Sequence, residues 1–124
     1  MQQLINLALQ YPLIKKPITP KYKLVLIAIN DTGSKFTLSN IAMEHIKNEI
    51  DQTIIIDDDY NNHLLPGHIM RDDPKLIKII ESLEQRASGF ESNIVVKQYY
   101  LPYNCTFKIN GSFGKEMVFA VPYQ

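Results

Sequence analysis

The sequence predicts an α+β fold, or α/β, in one small domain. Three observations predict it: a nearly continuous apolar run at 22–30, a capped amphipathic stretch at 73–89, and short β-like runs from residue 92 onward. The 124 residues suit one compact domain with its own core, and 45% hydrophobic with 21% charged residues is ordinary globular composition. The expected architecture is a mixed, mostly antiparallel sheet of about five strands with helices on one face. A short N-terminal helix and proline-rich arm (1–21) precede the single domain (22–124).

Leu4, Ile5, Ala8 and Leu9 recur at helical spacing within residues 2 to 11. Such a short helix is marginal alone in water and must pack on something. Pro12, Pro17 and Pro20 then stop it and favour an extended arm, which packs on its own domain or reaches a neighbouring subunit. In "YKLVLIAIN", residues 22 to 30, nearly continuous apolar character predicts a central strand buried on both faces. "DTGSKF" turns the chain at Gly33. In "TLSNIAMEHIKNEI" Thr37 or Ser39 caps a helix whose face carries Ala42, Ile46 and Ile50.

The β-branched run "TIII", 53 to 56, reads as a second strand, and "DDDYNNHLLPGHIM" as a loop. Next, Asp73 stands at an N-cap position and Pro74 in the first helical turn, where its missing N–H costs nothing. Leu76, Ile79, Ile80, Leu83 and Ala87 form one apolar stripe, and Gly89 is expected to close the helix. "SNIVVKQYY", "CTFKIN" and "EMVFAV" complete the strands, the last two joined at "GSFGK".

Thirteen basic residues balance thirteen acidic ones, which gives no sign of the positive surface that phosphate-backbone binding needs. Nucleic acid is not expected as a partner. The basic group Lys15, Lys16, Lys21 and Lys23 reads as a solvated arm. A single cysteine, Cys105, excludes an internal disulfide and a Cys-based zinc site. The first apolar run lacks a preceding basic residue and is too short to span a bilayer. No membrane association is expected, and the expected location is the cytoplasm.

Catalytic signals are absent. "GSFGK" is not a phosphate loop, because Glu116 follows Lys115 and a strand comes next. No Gly-x-Ser-x-Gly elbow occurs, and Cys105 lies in a strand where a buried, inert thiol is usual. His63 and His68 lie near Asp57, Asp58 and Asp59, types that bind zinc or manganese, but without a spacing that shares a helix face. A solvated acidic loop explains them, so neither cofactor nor metal is expected and the chain leans away from being an enzyme.

Arg71 stands apart because capping does not require it. A guanidinium beside a helix N-terminus adds positive charge where backbone amides point outward, a place for phosphate or carboxylate. Pairing with Asp72, Asp73 or the 57–59 acids is the competing explanation. The candidate ligand-binding set is Arg71, Phe36 as a stacking surface, and Lys35 as a second charge.

"RDDPKLIKIIESLEQRASGFESNIVV" resembles a motif of small, mostly uncharacterised phage and prophage proteins: Arg-x-Asp-Pro-x-Leu, Glu-x-Leu, Ala-x-Gly, then a hydrophobic strand. Upstream, "IAINDTGSKFTLSNIA" is similar to their strand, glycine turn and Phe-x-Leu-Ser helix start, matched by Gly33, Phe36, Leu38 and Ser39. Gly114 and Glu116 match a C-terminal turn, where Ser112 and Phe113 replace a tyrosine and an aspartate. The resemblance spans about residues 22 to 121. It implies a viral or prophage origin, hence a host-cell cytoplasm, and no assigned reaction.

The leading expectation is a non-enzymatic accessory protein that binds a host factor or a small anionic, nucleotide-like ligand, in a counter-defence role by analogy and as an oligomer. The alternative is a structural or protein-interaction component without a small ligand, suggested by seven tyrosines and five phenylalanines. A metal-dependent hydrolase comes third.

Overall fold

A computed structural model of the chain describes residues 21–57, 61–111 and 115–123. The helix and most of the arm expected over residues 1–21 lie outside the described residues, as do residues 112–114 of the "GSFGK" turn. The described elements run β1 (Tyr22–Asn30), β2 (Thr37–Leu38), α1 (Asn40–Glu49), β3 (His63–Leu64), α2 (Pro74–Leu83), a 3-10 turn (Glu84–Ala87), β4 (Ile94–Pro102), β5 (Cys105–Asn110) and β6 (Met117–Pro122). The fold is α+β. Among the described residues the strands form three two-stranded antiparallel ladders, β1–β4, β2–β3 and β5–β6.

The β1–β4 ladder is the middle layer, in register from Tyr22 opposite Pro102 to Asn30 opposite Ile94. Strand alternation sends successive side chains to opposite faces. Ala28 and Ile94, with Leu26 and Val96, join the helical core of Ala42, Ile46, Leu76, Ile80 and Leu83. On the other face Ile27 and Ile29 pack with Val25, Val95 and Tyr99 against Val118, Phe107 and Ile109 of the β5–β6 hairpin. β1 is therefore covered on both sides, as its nearly continuous apolar run predicts.

Both helix starts follow from local chemistry. The Ser39 hydroxyl accepts from the Ala42 amide at 3.2 Å and caps α1. The Asp73 carboxylate accepts from the Lys75 and Leu76 amides at 2.8 and 3.2 Å, and Pro74 follows it. Leu76, Ile77, Ile79, Ile80 and Leu83 are buried along α2. Each fully buried aliphatic side chain contributes roughly 1.5–3 kcal/mol of transfer free energy.

Three expectations are corrected. The run 53–56 joins no ladder: Ile54 and Ile56 are half-buried against the helical core and Ile55 is exposed. β-branched residues favour extended backbone, but a strand also needs a free partner edge. Second, α2 ends at Leu83 rather than continuing to Gly89, and the left-handed residue at that end is Glu84, with φ 54°. Gly89 is required for space, since a Cβ there would lie 2.6 Å from Thr37 Oγ1 and 2.9 Å from Asn62 Oδ1. Third, the 61–70 stretch is not all loop, because β3 lies in it. Among the described residues no helix is long and apolar enough to cross a membrane.

Candidate functional site

The site is best built from β1's outer edge. Ala28 N–H donates to the Arg71 carbonyl at 2.9 Å, so Ala28 turns its backbone groups away from β4. The antiparallel pattern gives alternate residues of β1 the same outward sense. Ala28 and Asn30 both use it. The Arg71 guanidinium donates to the Ala28 carbonyl at 3.0 Å. Asn30 N–H donates to Glu116 Oε1 at 2.7 Å, and Glu116 N–H lies 3.4 Å from the Asn30 carbonyl. One arginine and one glutamate thus close this half of an edge that would otherwise expose unpaired groups.

The two side chains are locked to each other. Arg71 Nη1 and Nη2 donate to Glu116 Oε1 and Oε2, both at 2.8 Å, in a bidentate pair. The carbon of the guanidinium lies 3.6 Å from the centre of the Phe36 ring. Arg71 is 21% exposed and Glu116 12% exposed. Two parallel charge-assisted hydrogen bonds plus a stacked aromatic face fix the guanidinium plane.

Asn30 organises the neighbouring turn. It is fully buried, and its Nδ2 donates to the Ser34 and Lys35 carbonyls at 2.6 and 3.1 Å. Its Oδ1 accepts from Thr32 Oγ1 at 3.0 Å and from Asn93 N–H at 2.9 Å. Ser92 Oγ also donates to the Lys35 carbonyl at 2.6 Å. These bonds hold Lys35 and Phe36 at the head of β2.

The result is a cleft of about 730 Å³ whose lining includes Lys35, Phe36 and Arg71. The structure thus brings together all three residues singled out from the sequence, and Glu116 lines the same space. Leu64, Leu65, Pro66 and Met70 form one wall and Phe107 and Ile109 another.

The chemistry differs from the sequence expectation. Arg71 is not an unpaired cation over free helix amides. Glu116 neutralises it, and the first amides of α2 already bond to the negatively charged Asp73. Among the described residues its ion-pair partner is Glu116 rather than Asp72 or Asp73, and Asp58 and Asp59 lie outside the described residues. Phe36 is buried, with Arg71 over its ring. Lys35 is exposed at the rim, and among the described residues it forms no ion pair. Asn30 was missed as a site residue; a polar residue ending an apolar run just before a glycine turn was the available signal.

The histidines sit elsewhere. His68 Nε2 lies 2.8 Å from Asp51 Oδ2, and His45 Nδ1 lies 3.3 Å from Glu49. Hydrogen bonds from the Thr53 hydroxyl and amide, followed by His68, hold the partly exposed Asp51 carboxyl below the ordinary range. His63 contacts Asn40. Among the described residues no three His, Cys, Asp or Glu side chains form a group able to hold a metal ion. No protein-family model, curated protein or solved structure matches this chain.

Proposed function

We propose that this chain is a non-catalytic viral or prophage accessory protein, acting in the host cytoplasm, whose cleft holds a small nucleotide-like ligand. The observation that carries the reading is the cleft, where Lys35, Phe36 and Arg71 converge between apolar walls. A concave, mainly apolar space with a few fixed polar groups is the usual form of a small-molecule site. The sequence resemblance supplies the viral part of the proposal. Because Glu116 offsets Arg71, an anionic group on the ligand is met at Lys35, while the flat body of the ligand lies between the apolar walls.

Calorimetry and thermal shift against cyclic nucleotides and ADP-ribose derivatives test this directly. Lys35→Glu should weaken any binding at least about tenfold, near 1.4 kcal/mol. Gly67→Trp should obstruct the cleft, since Gly67 lines it and a Cβ there meets nothing within 4 Å. Absence of heat and of any shift across the whole panel removes the proposal.

A second reading, a host protein as partner, is favoured by Leu64 and Met70. They line the same cleft yet are 64% and 56% exposed. Leu64→Asp with Met70→Asp would abolish such an interaction, and capture unaffected by that pair would eliminate it.

A further inference from the structure

The end of α2 stores strain. Glu84 adopts φ 54° and ψ −127°, the conformation of the first central residue of a type II′ turn, where glycine dominates. A side chain there disfavours the backbone by a factor of roughly 5 to 150 in population. Local preference points the other way. Glu84, Gln85, Arg86 and Ala87 are all strong helix formers, and Ala87 continues the stripe of Leu76, Ile80 and Leu83. Local chemistry alone would carry the helix on through Ala87.

Residues 37–39, which are β2 and the cap of α1, hold the segment in its broken form. Ser39 N–H donates to the Ala87 carbonyl at 3.0 Å, and Ser39 Oγ to the Arg86 carbonyl at 2.5 Å. Gly89 N–H donates to the Thr37 carbonyl at 2.9 Å, and Leu38 forms a β-bridge with Ser88. Ser88 Oγ also accepts from the Ile94 amide at 2.8 Å.

We propose that residues 84–88 are a two-state segment. One state is the strained break seated on β2; the other extends α2 through Ala87 when residues 37–39 lift away. Strain at Glu84 is held in the first state and released in the second, so the two packings lie close in free energy. Lys35 and Phe36 lead straight into β2, which ties the length of α2 to the wall of the cleft. The device rests on residues 37–39 and 84–89 and holds whatever the cleft binds.

Gly89→Ala unseats β2 directly, because the added carbon would lie 2.6 Å from Thr37 Oγ1. Nuclear magnetic resonance of this variant should show helical carbon shifts at residues 85–88. Adding Glu84→Gly should reduce them, since glycine favours the break and disfavours the helix. Coil-like or unchanged shifts in Gly89→Ala, or helical shifts that Glu84→Gly leaves intact, overturn the proposal. Native-state amide exchange on the parent chain gives a readout that does not depend on that variant folding. The Ser39 and Gly89 amides should exchange together, at least about tenfold faster than Ile80 inside α2. Glu84→Gly should slow both by about tenfold relative to Ile80. Amides of Ser39 and Gly89 as slow as that of Ile80, or indifferent to Glu84→Gly, also overturn it.

Discussion

The two halves of β1's outer edge differ in what lies against them. At Ala28 and Asn30 the backbone groups are satisfied by Arg71 and Glu116, which arrive from distant parts of the chain and neutralise each other. Leu24 and Leu26 instead line an apolar groove with Pro74 and Ile77. The first half is a fixed cap with a desolvated ion pair. The contrast teaches that charge near a strand edge is not by itself a ligand signal: here it completes the hydrogen bonding of the fold.

The comparison is broken most directly at the cap. Arg71→Ala strands the Glu116 carboxylate in a largely buried position and removes the donor to Ala28. It should destabilise by about 3–4 kcal/mol in chemical denaturation, the usual cost of deleting one partner of a buried pair. A loss under about 1 kcal/mol would show the pair to be an ordinary surface contact. Glu116→Gln sharpens the point. It keeps an acceptor for the Asn30 amide but loses the charge, so a smaller loss of about 1.5–3 kcal/mol is expected.

The groove half should respond weakly. Leu24→Thr replaces a half-exposed side chain and should cost no more than about 1 kcal/mol. A cost equal to that of Arg71→Ala would erase the distinction between the halves.

The smallest effect is spectroscopic. Tyr99 sits opposite Val25 in the ladder, and its phenol is pushed above the ordinary value of 10.0, first by burial and then by the charges of Asp31 and Glu116. The folded state therefore holds this proton more tightly than the unfolded state. The associated stability is fully present below about pH 10 and is lost as pH rises through the folded-state value. In Glu116→Gln the phenolate absorbance of Tyr99, assigned by Tyr99→Phe, should appear at lower pH than in the parent while staying above 10 because burial persists. An unchanged titration would show that Glu116 does not act on Tyr99.

Much of the fold was legible because its signals are local. Asp73 and Pro74 specify where α2 begins, Ser39 caps α1, and the apolar run of β1 announces burial on two faces. The run at 53–56 misled because propensity describes one chain segment, whereas a ladder needs a second edge. The end of α2 misled because Gly89 looked like a terminal glycine; Glu84 takes the left-handed conformation, and Gly89 answers crowding by Thr37 and Asn62. Lys35, Phe36 and Arg71 were legible as candidates, but what neutralises the arginine was not.

The sequence by itself determined the α+β class, the starts of both helices, the double-sided burial of β1 and the three residues that meet in the cleft. These depend on periodicity and capping within a few residues. The tertiary structure alone decided that Arg71 pairs with Glu116, 45 positions away, and stacks on Phe36. Coulomb attraction and hydrogen bonding act through distance in space, and only folding determines which charges come within reach of one another.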